Sequence, residues 1–143
     1  MTQTATATGL DNGGDAVTKT QLWAGRTISG LAVAFFLVDG AMKIAKPAVV
    51  LKATRDVLGY PESEIVGIGL TMLLCTLVYV VPRTSVLGAI LLTGYLGGAI
   101  ASHVRIDSPL FTHTLFGLYL GLIVWGGLWL RDGAVRSLLP FRR

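Results

Sequence analysis

The chain alternates long apolar segments with short polar ones. Four apolar segments, covering residues 22–45, 64–81, 86–104 and 110–130, are each long enough to cross a bilayer. A spanning helix needs about 20 mostly apolar residues, whereas a barrel strand needs about 10 and alternates in polarity. None of the segments has the polar outer face of a soluble bundle helix. The pattern therefore predicts an all-α integral membrane four-helix bundle.

The polar connections set the arrangement of these helices. "PRTS" at residues 82–85 and "RIDSP" at residues 105–109 are so short that each joins antiparallel neighbours. The connection over residues 46–61 is longer and has an apolar and a polar side, which predicts a short amphipathic interfacial helix between spans one and two. A solvated loop helix is the alternative. The apolar side comprises Val50, Ala53, Val57 and Leu58, and the polar side comprises Lys52, Arg55 and Asp56.

The two ends of the chain differ from this four-span domain, which we place at residues 21–134. Residues 1–20 are rich in Thr, Ala and Gly and have no apolar periodicity. They also lack the basic and then apolar pattern of a signal peptide, so we expect a disordered tail. Residues 135–143 are expected to form a basic C-terminal tail.

Composition and charge fit a membrane protein. Apolar residues make up 52% and charged residues 14% of the chain, against about 25% charged residues in an average soluble domain. We therefore expect the lipid bilayer as the surroundings, and the net charge of +4 does not indicate a nucleic-acid partner. Leaving out Lys43 within the first span, the side with both termini carries seven Lys and Arg against four on the other, which predicts cytoplasmic termini and a multi-pass protein of the plasma or inner membrane. Trp23, Trp125 and Trp129 fall on that same side and match an aromatic belt.

Ionisable residues interrupt the first apolar segment. Asp39 and Lys43, within "FFLVDGAMKIAKP", are one helical turn apart and can pair on one face. Topology places them at the same membrane face as four further polar residues, and antiparallel packing would gather all six. The two interpretations are a ligand or proton site and a buried ion pair that holds helices together. This outer polar cluster consists of Asp39, Lys43, His103, Arg105, Asp107 and His113.

Two tyrosines and the single cysteine refine this hypothesis. Tyr95 and Tyr119 lie mid-span and are expected to line the deeper, apolar part of a ligand site. Cys75 is expected in the core, and one cysteine excludes an internal dithiol couple. Two histidines and a carboxylate at these spacings form no recognised metal motif, so we predict no metal site.

Glycines recur at four-residue spacing in the last two spans. Gly94 and Gly98 form one pair, and Gly117 and Gly121 form another. Such spacing lets helix backbones approach closely. We predict packing within one bundle, with a homo-oligomer interface as the alternative.

Several of these stretches also carry a family resemblance. "FFLVDGAMKI", "LGYP" at residues 58–61, "PRTSVLGAILLTGYLGGAIASHVRI" and "WGGLWLRD" resemble the DoxX-like family of small four-helix membrane proteins. The wider family takes its name from a membrane subunit of a thiosulfate:quinone oxidoreductase, and relatives are associated with redox stress and oxidoreductase assemblies. The resemblance thus implies a redox-associated role, and its polar positions carry over to Asp39, Lys43 and His103.

Three functions stay open at this stage, and with them whether the chain is an enzyme. The first is a protein that binds a quinone-like or other lipophilic molecule, or supports a quinone-linked membrane oxidoreductase partner. In that case His103 would form a hydrogen bond with a carbonyl group of the ligand. Asp39 would orient His103 or exchange a proton with it. The second is a non-enzymatic membrane assembly partner. The third is a cofactor-free isomerase or hydrolase acting on a lipophilic substrate through Asp39 and His103.

Overall fold

The computed structural model describes residues 17–138, and every regular element in that range is helical. Four helical segments are long and apolar enough to cross a membrane. The predicted four-helix membrane bundle, with a short helix between spans one and two, is confirmed. The elements are α1 (Lys19–Ala45), α2 (Ala48–Leu51) with a π-helical continuation (Lys52–Val57), α3 (Glu62–Val80), α4 (Ser85–Arg105) after a 3₁₀ turn (Pro82–Thr84), a π-helical turn (Leu110–Thr114), α5 (Phe116–Arg131) and α6 (Gly133–Leu138).

Helix boundaries differ from the predicted ones at both ends of the bundle. Thr18 Oγ1 accepts the Gln21 N–H at 3.2 Å, and Gln21 Oε1 accepts the Thr18 N–H at 3.0 Å. This capping box starts α1 at Lys19, inside the segment expected as a tail. Helix α6 likewise occupies the start of the expected C-terminal tail. The rest of both predicted tails, residues 1–16 and 139–143, lies outside the described residues.

The four spans form a ring in which each packs against two neighbours. Helices α1 and α4 each pack against α3 and α5, so α1 and α4 face one another diagonally. The core contains Phe36, Met72, Leu92 and Val124, and Cys75 is buried among them as expected. Large apolar side chains on the outer flanks are exposed. This exposure suits a lipid environment, because contact between apolar side chains and acyl chains carries no hydrophobic penalty.

Small residues bring the helices together at the end of the bundle that carries the termini. A Cβ atom on Gly25 would stand 2.8 Å from the carbonyl oxygen of Gly127, and one on Gly127 would stand 2.5 Å from Ser29 Oγ. A Cβ atom on Gly88 would overlap the backbone of Tyr79. Helices α1, α5, α3 and α4 therefore approach at backbone distance here.

Tyr79 fills the centre of this tightly packed end. Its fully buried hydroxyl lies 2.9 Å from Ser29 Oγ and donates to the Val124 carbonyl oxygen at 2.9 Å. The guanidinium of Arg131 stacks over the ring, 5.1 Å from its centroid. Hydrogen bonds therefore join α3 to both α1 and α5.

The glycines predicted to pack behave differently from one another. A Cβ atom on Gly117 would stand 2.9 Å from Ile100 Cγ1, so α5 does approach α4 there, and Gly121 is in ordinary contact with Leu96. In the described part of the chain, Gly94 and Gly98 have no atom of another helix within 4 Å of the Cβ position. Packing within the bundle is thus a wrong prediction for Gly94 and Gly98, because these residues lie where α4 borders a cavity.

Candidate functional site

A cavity of about 690 Å³ separates the spans at the end of the bundle opposite the termini. We call this end the linker end, because the α1–α3 connection and the α4–α5 turn lie there. All four spans contribute to the lining, and most lining side chains are apolar, with Phe36, Met72 and Leu120 coming from the buried core. Small-molecule sites typically measure about 300–1,000 Å³ and are mostly apolar with a few polar groups.

Five of the predicted site residues line this one cavity. Asp39 and Lys43 come from α1, Tyr95 and His103 from α4, and His113 from the π-helical turn before α5. Residues far apart in the chain therefore converge on a single space. The cavity is apolar except where these side chains and a few others border it.

Asp39 and Lys43 form an ion pair within α1. The Lys43 ammonium donates to Asp39 Oδ2, and the side chains are 15% exposed for Lys43 and 36% exposed for Asp39. The Lys43 stem packs on α3, where a Cβ atom on Gly69 would come within 2.8 Å of Lys43 Cβ. A carboxylate offers about four acceptor sites. Asp39 therefore keeps capacity to accept a hydrogen bond from a ligand.

The two histidines stand side by side at the rim of the cavity. Their ring centroids are 5.8 Å apart. His103 Nδ1 lies 3.0 Å from Ser108 Oγ, and His113 Nδ1 lies 2.8 Å from Thr112 Oγ1. Within residues 17–138 both contacts use Nδ1, so Nε2 of each ring is the atom left for a ligand. Asp39 and His103 line the same cavity without a hydrogen bond between them in this part of the chain.

The α1–α3 connection covers the cavity. Its predicted polar side is exposed, and the hydrogen bond from Arg55 to Asp56, at 2.8 Å, raises the pKa of the guanidinium. Its predicted apolar side borders the cavity, so the amphipathic pattern contributes apolar side chains to the cavity wall. Val50, Ala53, Val57 and Leu58 all line the cavity.

Two contacts hold this connection against α4. The Tyr60 hydroxyl lies 2.6 Å from Ser102 Oγ. The Arg105 guanidinium donates to the carbonyl oxygen of Leu58. Arg105 thus belongs to the anchor of the connection and is not a lining residue. Asp107 is exposed and takes a left-handed conformation, φ 51°, in the turn after α4, so the outer polar cluster contributes four of its six members to the cavity.

Tyr119 does not line the cavity, contrary to the expectation from its mid-span position. Gly117, Leu120 and Val124 form the buried side of α5, and Tyr119 projects from a different side with 41% of its surface exposed. Phe116 and Gly117 occupy the cavity wall instead. Mid-span depth alone does not determine which side of a helix faces inward.

A comparison with known protein families shows the family of this chain. The sequence model of the DoxX-like family matches residues 27–127. The chain belongs to the DoxX-like family. The matched range includes the connection and every residue named above as lining the cavity. No curated protein and no solved structure matched the chain.

This DoxX-like protein contains site residues that the sequence reasoning missed. Tyr60 lines the cavity and anchors the connection, and the only signal for it was its place in "LGYP". Two π-helical stretches, Lys52–Val57 and Leu110–Thr114, also border the cavity. Single π-helical turns occur frequently at functional sites, but apolar periodicity gives no signal for them.

The cavity of this DoxX-like protein does not gather a metal-ligand set within residues 17–138. In that range no group of three or more His, Cys, Asp or Glu side chains lies close enough to hold a metal ion. The polar groups at the cavity are hydrogen-bonding groups, suited to orienting an organic molecule.

Proposed function

We propose that this membrane protein binds a quinone-like or other lipophilic small molecule in the cavity at the linker end. One observation carries the proposal. An otherwise apolar cavity of about 690 Å³ is bordered by the Asp39–Lys43 pair from α1 and by His103 and His113 from α4 and the following turn. Apolar walls with a few convergent polar groups are the usual construction of a small-molecule site.

The polar groups at the cavity match both forms of a quinone. A quinone presents carbonyl oxygens, which accept hydrogen bonds, and the His103 imidazole has Nε2 to donate one. The reduced quinol presents hydroxyl groups, which the Asp39 carboxylate accepts. Tyr95 and Phe36 border the same space and supply apolar contact for the ring. A donor on one wall and an acceptor on the other therefore suit a molecule that changes between these forms.

The proposed role is support of a quinone-linked membrane oxidoreductase. The chain has one cysteine, which is buried, and so has no internal dithiol couple of its own. Electron transfer would belong to a partner protein, and this chain would hold or deliver the lipophilic molecule. The proposed location is the plasma or inner membrane with both termini in the cytoplasm, as the excess of Lys and Arg on that side indicates.

Native mass spectrometry with lipid extraction tests the proposal on protein purified gently from its own membrane. The wild type is compared with Asp39→Asn and His103→Ala, with Asp107→Asn as the control because Asp107 is exposed and outside the cavity. We expect a small lipophilic molecule that is retained in the wild type and the control and lost in the other two. An empty wild type, also unaffected in thermal stability by added quinones, would contradict the proposal.

A role as a non-enzymatic assembly partner is the second candidate. The packing of the Lys43 stem against Gly69 favours it, since the pair thereby contributes to the contact between α1 and α3. Yet both charges belong to α1 and do not link it to another helix. Joint replacement with Asp39→Leu and Lys43→Met distinguishes the two candidates. If the protein is an assembly partner, the double variant should still accumulate in the membrane and still capture the partner protein. If the protein binds a small molecule, the double variant should stay stable but lose that molecule.

A further inference from the structure

One edge of the cavity consists of bare helix backbone. Gly94 and Gly98 line the cavity from successive turns of α4, and both are exposed. Among residues 17–138, no atom of another helix lies within 4 Å of either Cβ position. We call this pair the glycine edge. It is a stretch of the cavity wall where α4 itself carries no side chain.

The glycine edge lies at the depth of the membrane interior. Gly98 is about 10 Å, and Gly94 about 16 Å, along α4 from its last residue, Arg105. The hydrocarbon core of a bilayer is about 30 Å thick. The glycine edge therefore lies at a depth where acyl chains surround the bundle.

Other sides of the cavity carry side chains at contact distance. Between α1 and α5, the rings of Phe35 and Phe116 pack edge to face with centroids 5.6 Å apart. At the linker end, the hydrogen bond between Tyr60 and Ser102 holds the connection over the cavity. At the glycine edge, the described residues place no atom within 4 Å of either Cβ position.

We propose that the bound molecule reaches the cavity sideways from the bilayer, across the glycine edge, and leaves its apolar tail lying along Gly94 and Gly98. This inference rests on the proposed function and defines its ligand class further. The ligand is a lipid with a compact polar ring and a long hydrocarbon tail. The ring meets Asp39 and His103, while the tail extends through the edge into the surrounding lipid.

The test compares two probes in nanodiscs that contain the full chain. One probe is a benzoquinone with a decyl chain, and the other is the same ring without that chain. The variants are Gly94→Leu and Gly98→Leu, with milder Gly94→Ala and Gly98→Ala forms that show whether the effect is graded. The matched control is Gly97→Leu, since Gly97 is also exposed and free of neighbours within 4 Å but does not line the cavity.

We expect the two leucine variants to bind the decyl probe at least tenfold more weakly than the wild type. The alanine variants should lie in between, Gly97→Leu should bind like the wild type, and the tail-less ring should be affected least. Unchanged decyl binding in both leucine variants would overturn the glycine edge and leave the cavity as the site. An equal loss in Gly97→Leu would overturn it as well, because that residue faces away from the cavity. A wild type that binds neither probe would instead overturn the proposed function.

Discussion

Glycine residues of the spans differ in what a side chain added to them would meet. At Gly88 a Cβ atom would overlap the backbone of Tyr79, and at Gly25 and Gly127 it would enter the contact between α1 and α5. At Gly94 it would meet nothing within 4 Å. At the scale of single residues, the same residue type therefore brings helix backbones together at some positions and borders the cavity at others.

Replacing Gly88 with alanine should lower the free energy of unfolding. The added methyl group cannot be accommodated without separating α3 from α4, and such overpacking costs about 1–3 kcal/mol. Gly30→Ala is the matched control, since no atom lies within 4 Å of that position, and the better helix propensity of alanine should leave stability unchanged or raised by up to about 1 kcal/mol. Unfolding in mixed micelles, followed by tryptophan fluorescence, measures both. Equal effects at the two positions would refute this account of Gly88.

The α1–α3 connection is the element that covers the cavity at the linker end of the bundle. Its sequence has an apolar side, and the periodicity indicates that this side is shielded from water. The periodicity does not indicate whether lipid or another part of the protein shields it. A membrane interface and a cavity are both apolar, and this side borders the cavity through Val50, Ala53 and Val57 while Val57 keeps 55% of its surface exposed. The anchors of the connection to α4 involve residues more than 40 positions apart, and no local pattern indicates them.

Substituting Tyr60 with phenylalanine should loosen the connection without unfolding the spans. The change removes the hydrogen bond to Ser102, for which about 1 kcal/mol is typical. Amide hydrogen exchange over residues 48–58 should accelerate about fivefold, because the opening free energy of that segment falls by this amount. Mass spectrometry of deuterium uptake measures it. Tyr119→Phe is the control, since Tyr119 lies exposed on the flank. Unchanged exchange in Tyr60→Phe would show that Arg105 alone holds the segment.

The whole molecule is asymmetric along the membrane normal, because its cavity lies at the linker end, opposite the termini. The four spans follow from apolar length, and their antiparallel order follows from the two short turns. The convergence of Asp39 with His103 and His113 on one cavity follows from the same topology. The cavity itself does not, because its existence depends on how closely the helices approach one another, and the neighbours of a glycine cannot be read from one sequence.

Accessibility labelling tests the orientation of the whole molecule. In a Cys75→Ala background, cysteines at the exposed positions Thr20 and Ser137 should react from the same side of the membrane, and a cysteine at Asp107 should react from the other. The excess of Lys and Arg predicts that the first pair is cytoplasmic. A membrane-impermeant maleimide applied to intact cells and to lysed cells distinguishes the two sides. Labelling of Thr20→Cys from outside would reverse the proposed orientation of the cavity.

The placement of both opposite charges on α1 has a consequence for biogenesis. Among the four spans described, this helix is made first, and a lone charge at the centre of the hydrocarbon costs about 2.5–3.5 kcal/mol at insertion. Because Lys43 finds Asp39 one turn away on the same helix, the counter-charge is present before any other span has been made. A pair divided between two helices would leave the first span unbalanced until the second arrived. The chain thus brings a polar group into the cavity on a helix that carries the counter-charge of that group one turn away.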